Sequence, residues 1–222
     1  MVNKLRTTCK SSHKILSNLS TIVFWGSLWG IIEVTLGYLL HKINFSFGWC
    51  IWFPLAFYFM DKIYRKTGKV QYILYGAIVT SAIKLTNLFI EVRIDKVINP
   101  AISILFEAIA LLVIYKVIEK KNKKIGIIEI LIVNVFWRCL YSIYIFIMPS
   151  SFLAISPLAG LDSFLRFILL ESSVNAIFIM TYILFRDKTI RKFSISNRKE
   201  LNVSPIQSFL MCLFAILVQI IV

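Results

Sequence analysis

The sequence contains few of the residues that carry most of the chemistry of soluble enzymes. Its 222 residues include 2 histidines, 4 cysteines and 11 acidic side chains. The cysteines (Cys9, Cys50, Cys139 and Cys212) are scattered without a CxxC spacing, so neither a zinc site nor a redox pair is predicted. No glycine-rich phosphate loop is present, which argues against an ATPase within the chain. We therefore predict no metal ion and no cofactor.

Charge is also scarce for a chain of this length, whereas apolar residues are abundant. Only 16% of the residues are charged, 59% are hydrophobic, and the mean hydropathy is +0.80. Soluble domains are on average about 25% charged and about 45–50% apolar. A small soluble core cannot bury this excess. The composition therefore predicts an all-α integral membrane protein that forms a single domain over residues 1–222.

Long apolar stretches predict about seven transmembrane helices, six plus an additional C-terminal helix. A membrane span needs about 20 mostly apolar residues. The stretches that fit are Leu19–His41, Phe45–Tyr64, Val70–Ile90, Ile98–Ile118, Ile125–Met148, Leu161–Phe185 and Pro205–Val222. Pro54 lies inside the second stretch, but neighbouring helices can satisfy the carbonyl group that a proline leaves without a donor.

The positions of the basic residues predict the orientation of these helices. Nineteen of the 25 Lys and Arg residues precede the first stretch or lie at the ends of the second and fourth stretches and in the loops after the second, fourth and sixth, whereas the alternate loops hold only Lys42, Arg93 and Lys96. Cytoplasmic loops are enriched in Lys and Arg, so we predict a cell-membrane protein with a cytoplasmic N-terminus. The net charge of +14 then reflects topology and contact with anionic lipid, and no nucleic-acid partner is predicted.

Ionisable residues inside the predicted spans indicate a shared polar cavity. Six charged residues lie at least five residues from either end of a predicted span: Glu33, Lys84, Glu107, Arg138, Arg166 and Glu171. Charges in a membrane are costly and usually face the protein interior or a water-filled space. At about 1.5 Å of rise per residue, five of them lie roughly 16–20 Å from the cytoplasmic end, whereas Arg166 lies near the outer surface. We predict one cavity nearer the outside, with Arg166 snorkelling at the interface.

Each of these charges lies on a stripe of polar or small residues at helical spacing. The predicted substrate-binding residues are Glu33, Lys84, Asn87, Glu107, Arg138, Glu171 and Asn175. The glycines predicted to let helices pack closely are Gly26, Gly30, Gly37 and Gly76. The alternative interpretation is structural: Glu33–Lys84 or Glu107–Arg138 would be buried ion pairs that lock the bundle.

Three stretches carry a resemblance to a known family: WGSLWGIIEVTLGYLLH (Trp25–His41), KTGKVQYILYGAIVTSAIKL (Lys66–Leu85) and INPAISILFEAIA (Ile98–Ala110). With the basic loops and the missing ATPase motif, they resemble the membrane-embedded substrate-binding (S) components of energy-coupling factor transporters. Those proteins typically have six spans and often carry an AxxxA motif on the first helix, for which Gly26-xxx-Gly30 is the nearest equivalent. The resemblance implies capture of a small, vitamin-like nutrient, with a transmembrane coupling subunit and an ATPase pair as partners.

Two other classes of function stay open at this point. A membrane-embedded enzyme acting on a lipid-like substrate would use Glu33, Glu107 and Glu171 as acid–base groups. The sequence has neither a DxxD repeat nor a Ser/His or Cys/His pair to support that chemistry. A structural or assembly protein would explain the helices, but it gives no reason for so many charges at one depth.

The orientation can be tested with single cysteines in a background without native cysteines. We expect a cysteine at Asn122, in the predicted cytoplasmic loop Lys120–Lys124, to resist an impermeant thiol reagent on intact cells. A cysteine added after Val222 should be labelled, because an odd number of spans places the C-terminus outside. Labelling at position 122 would contradict the orientation, and an unlabelled C-terminus would indicate six spans.

Overall fold

The computed structural model describes residues 2–44, 47–154, 156, 158–193 and 203–221. Every regular element in these ranges is helical, as the all-α prediction requires. The helices are α1 (Val2–Lys42), α2 (Trp49–Thr67), α3 (Gln71–Leu85), α4 (Asp95–Lys120), α5 (Ile127–Ile147), α6 (Ser150–Ala154), α7 (Leu161–Leu165), α8 (Glu171–Phe193) and α9 (Pro205–Ile221). A 3-10 turn (Thr86–Phe89) continues α3, and a π turn (Arg166–Leu170) joins α7 to α8.

Five helical segments in the described part of the chain are long and apolar enough to cross a membrane, judged by length and composition. They are Lys14–Lys42, Gln71–Phe89, Asp95–Lys120, Ile127–Ile147 and Leu161–Thr189. The helix α2 falls short of this criterion because its second half carries four charged residues, Asp61, Lys62, Arg65 and Lys66. The helix α9 is apolar but only 17 residues long.

Several helix boundaries differ from those that hydropathy predicted. The helix α1 begins at Val2 rather than at Leu19, and α8 continues to Phe193 rather than ending at Phe185. Hydropathy marks where an apolar run ends, whereas backbone hydrogen bonding continues through polar residues. The α-helical part of the third stretch ends at Leu85, where the 3-10 turn begins. Phe45 and Val222, which bound two predicted spans, lie outside the described residues.

Six helices form a closed ring that defines the interior of the protein. In spatial order, α1 packs against α3, α3 against α4, α4 against α5, α5 against α8, α8 against α2, and α2 against α1. The helix α2 also contacts α3 and α4, and its side chains Phe53, Phe57, Phe59 and Met60 are fully buried. The helix α9 lies outside the ring, along α1.

Hydroxyl groups of serine and threonine tie neighbouring helices together. Each of three side chains donates a hydrogen bond to a backbone carbonyl of the adjacent helix. The pairs are Thr80 to Gly26 (2.8 Å), Ser81 to Ala101 (2.7 Å) and Ser208 to Ser20 (2.7 Å). Small residues and polar side chains at helix interfaces allow close approach and hold it, which suits helices in an apolar environment.

The predicted packing glycines lie at helix contacts of different tightness. At Gly26, where α1 meets α3, a Cβ atom would lie 2.9 Å from the backbone oxygen of Gly76. Gly30 also faces α3, and Gly76 itself also faces α2. At Gly37, by contrast, the nearest atom is a ring carbon of Trp52 at 3.6 Å, an ordinary contact distance. A methyl group would therefore collide with rigid backbone at Gly26 but not at Gly37.

This difference predicts unequal responses of Gly26 and Gly37 to the same substitution. Gly26→Ala should lower the free energy of unfolding by about 1–3 kcal/mol relative to Gly37→Ala, because overpacking must push α1 and α3 apart. The gain in helix propensity is common to both variants, so Gly37→Ala is a matched control. Thermal unfolding of the detergent-solubilised proteins measures the difference. Equal stabilities would contradict the close α1–α3 contact.

Candidate functional site

A cavity of about 490 Å³ lies inside the ring, between the C-terminal halves of α1 and α3 and the N-terminal halves of α2, α4 and α8. The helix α5 and the π turn complete its wall. The lining residues are Glu33, Gly37, Trp49, Trp52, Phe53, Lys84, Asn99, Pro100, Ser103, Ile104, Glu107, Trp137, Arg138, Tyr141, Phe167, Glu171 and Asn175. Its size is within the range of about 300–1,000 Å³ that is typical of small-molecule sites.

Six of the seven predicted substrate-binding residues line this cavity. They are Glu33, Lys84, Glu107, Arg138, Glu171 and Asn175. Asn87, the seventh, is not among the lining residues. It lies in the 3-10 turn after α3, where the chain has left the α-helical spiral that would have placed it near the face of Lys84. Its carbonyl oxygen instead accepts the backbone N–H groups of Ile90 and Glu91.

Arg138 is held in the cavity wall by several neighbours at once. It is 1% exposed, and its Nη1 donates to Oδ1 of Asn134 at 3.1 Å. Its Nη2 lies 3.8 Å from Oε2 of Glu171, which joins α5 to α8. The guanidinium carbon lies 4.4 Å from the ring centroid of Trp137 and 5.1 Å from that of Phe167. These contacts make Arg138 a fixed part of the wall.

Arg166 does not line the cavity itself but lies beside two residues that do, Glu171 and Trp49. Its Nε is 4.0 Å from Oε1 of Glu171, and its guanidinium carbon is 5.6 Å from the ring centroid of Trp49. Its side chain is 53% exposed, in keeping with the predicted position near a surface. The residue begins the π turn, an irregularity that is frequent at functional sites. Glu171 therefore has two arginine neighbours.

Three charged residues of the cavity have no such ion pair. Glu33 accepts a hydrogen bond from Trp29 Nε1 at 3.0 Å, and Glu107 lies near Ser103, which is one turn earlier on α4. Lys84 is near enough to Glu33 for electrostatic interaction. However, Glu33, Lys84 and Glu107 have no ion-pair partner within 4.0 Å among the described residues.

The two buried ion pairs of the structural interpretation are therefore not formed. Neither Glu33–Lys84 nor Glu107–Arg138 comes within 4.0 Å, and Arg138 pairs with Glu171 instead. Glu107 is 5% exposed, whereas Glu33 and Lys84 are half-buried. Both half-buried residues lie inside the ring, so their exposed surface faces the internal cavity. The cavity thus presents two carboxylates and one ammonium group beside a compensated arginine.

Aromatic side chains form a large part of the wall, and the sequence analysis missed several of them. Trp137 packs against both Phe53 and Phe167, with ring centroids 5.7 Å and 5.8 Å away, respectively. A local signal existed, because Trp137 directly precedes Arg138 and Phe167 is four residues before Glu171. Aromatic faces of this kind accommodate the flat apolar body of a ligand.

Comparison with known proteins adds no relative from which a function could be transferred. No family model, no curated protein and no solved structure matches the chain. In the part of the chain that the structure describes, no three His, Cys, Asp or Glu side chains are grouped to hold a metal ion. The functional conclusion therefore depends on the cavity itself.

The two buried cations should respond differently to removal. Arg138→Met should destabilise the protein by about 3–5 kcal/mol, because it leaves the Glu171 carboxylate without its buried partner. Lys84→Met should cost much less, since Lys84 forms no ion pair within 4.0 Å. Thermal unfolding in detergent provides the comparison. Adding Glu171→Gln to Arg138→Met should recover part of the loss. Equal costs for the two single variants would contradict the assigned roles.

Proposed function

We propose that the chain is a multi-pass cell-membrane protein that captures a small, vitamin-like nutrient in this cavity. It would act as the substrate-binding subunit of an uptake system, with a separate coupling subunit and an ATPase pair. One observation carries the proposal. Inside one ring of helices, aromatic walls surround charges of both signs that lack ion-pair partners. That combination is typical of a ligand site and unfavourable as a purely structural core.

The exposed apolar surface of the helices supports embedding in a membrane. Ile128, Phe146 and Phe185 are between 63% and 68% exposed, and Phe209 on α9 is 62% exposed. Soluble monomers rarely expose apolar patches larger than a few hundred Å². In the proposed topology, five helices of membrane length cross the bilayer together with α2 and α9. The charged second half of α2 would then lie at the cytoplasmic surface, where Lys and Arg are enriched.

The polar groups of the cavity suit a ligand with donor and acceptor groups at different positions. Glu33 and Glu107 would accept hydrogen bonds from an amine or a ring N–H group. Lys84, which lies on α3, would bind a carboxylate or phosphate oxygen of the ligand. The aromatic walls would hold the apolar part of the molecule between these groups.

Binding and uptake explain the site better than catalysis does. His41 does not line the cavity. None of the described lining residues is a histidine, and Ser103 is the one serine among them. Carboxylates without ion pairs remain usable as acids or bases, but a nucleophile must be hydrogen-bonded to its base, and among the described residues neither Ser103 nor Lys84 forms such a bond with a carboxylate. A binding role requires only the donors and acceptors that are present.

The contact with a coupling subunit would involve another surface than the one the family resemblance implies. Gly26 and Gly30 pack against α3, and α9 lies along α1. The GxxxG motif is therefore occupied within the chain. A coupling subunit would have to dock on a face of the ring that these helices leave uncovered.

A substitution in the cavity and a co-purification test the proposal together. Full-length protein purified gently from its native membrane should carry a small molecule detectable by native mass spectrometry, and should bring an ATPase pair with it. Glu107→Gln should weaken retention roughly tenfold to a hundredfold, because one charge-assisted hydrogen bond is lost. Glu91→Gln, the same change in the loop after α3, should have no effect. Retention unchanged in Glu107→Gln, or isolation without any ATPase, would contradict the respective half of the proposal.

A further inference from the structure

A second cavity, of about 410 Å³, lies at the opposite end of the same helices. It is enclosed by the C-terminal ends of α2 and α4, by α8, and by the loop between α4 and α5. In the proposed orientation this end faces the cytoplasm. The sequence analysis assigned no site here, although four of the lining residues are basic.

The carboxylates of this second cavity are all engaged by donors of the protein. Asp61 is 1% exposed and accepts hydrogen bonds from Arg186 Nη1 at 2.7 Å and from the Tyr182 hydroxyl at 2.9 Å. Asp187 accepts from Arg186 Nε at 2.8 Å. At the α4 side, Glu119 accepts from the hydroxyl of Tyr64 at 2.7 Å. Each of these carboxylates is therefore hydrogen-bonded within the wall, although three carboxylates face one paired arginine.

The remaining basic groups are not compensated in this way. Lys123 and Lys124 line the cavity from the α4–α5 loop and are exposed. Of the described residues, none forms an ion pair within 4.0 Å with either lysine. Arg65 reaches Asp61 only at 3.9 Å, and its side chain is 37% exposed. The cavity therefore presents three basic groups, one from α2 and two from the loop, beside carboxylates that are already hydrogen-bonded, and its charged lining residues together carry a net charge of +1.

An apolar wall connects this positive rim with the outer surface of the bundle. Ile118 and Ile183 are buried in the wall, and Leu184 beside them is 59% exposed. The lining thus combines exposed basic groups with apolar residues, one of which is exposed on the surface of the bundle. A phosphate that carries apolar chains matches both features, whereas free phosphate would use only the first.

We propose that this second cavity binds the phosphate group of an anionic phospholipid of the cytoplasmic leaflet. Lys123, Lys124 and Arg65 would contact the phosphate, and the acyl chains would follow the surface at Leu184. The site is separate from the nutrient cavity, and its existence does not depend on transport. Because it joins the α4–α5 loop to α2, a bound lipid would hold this end of the bundle together.

The basic loop provides its own matched control for a test. Full-length protein in detergent is titrated with phosphatidylglycerol or phosphatidylcholine, and bound lipid is counted by native mass spectrometry. We expect one tightly bound phosphatidylglycerol, with affinity reduced about tenfold or more in Lys123→Gln/Lys124→Gln. Lys120→Gln/Lys121→Gln removes the same charge from the same segment, but these residues do not line the cavity, so its affinity should stay near that of the wild type.

Each outcome of this experiment decides a separate point. Equal loss in the two double variants would mean diffuse attraction to a basic loop and would overturn the site, as would equal binding of the two lipids. Inorganic phosphate provides a further test. If millimolar phosphate displaces phosphatidylglycerol and by itself protects the wild type from unfolding, the ligand is a soluble phosphate and the lipid assignment is overturned. Gel filtration of all variants verifies that they remain folded, as is expected for exposed lysines.

Discussion

A buried arginine organises the interior of this protein. Removal of a charged side chain from water costs several kcal/mol, and this cost is offset only when neighbouring groups hold fixed positions around the charge. Arg138 meets this requirement through Asn134, Glu171 and the ring of Trp137. The helices α5 and α8 and the π turn between α7 and α8 are thereby held in one arrangement. The other ring helices complete the cavity against this wall.

The two ends of the ring differ in which charges are compensated. At the end with the larger cavity, an arginine is paired and two carboxylates and a lysine are not. At the other end, Asp61 is paired with Arg186 and two lysines are not. Charges without partners in partly enclosed spaces are unfavourable unless a ligand, an ion or water completes them. The proposed nutrient site follows from this rule, whereas the two lysines at the other end are exposed, so the proposed phosphate site rests on their position beside an apolar wall.

Much of the candidate site was predictable because helical period and hydrophobicity are local properties. Glu33, Lys84, Glu107, Arg138 and Glu171 interrupt apolar stretches, and such residues must face inward wherever the surroundings are apolar. Asn87 was assigned to the same face by extending the period of α3, but the helix changes to a 3-10 turn at Thr86. The limit of the helix depends on the loop that follows and on its contacts, which the apolar pattern does not reveal.

The sequence by itself determined that the chain forms apolar helices, and it marked the polar positions on their inner faces. Only the tertiary structure decided that Arg138 pairs with Glu171 rather than with Glu107, and that Phe53, Trp137 and Phe167 form one aromatic wall. Asp61 likewise became part of a second site only through Arg186, which lies far along the chain. Partners on different helices depend on how each helix is rotated and shifted along its axis. Those two quantities are set by packing between helices, so the pattern within any one helix cannot specify them.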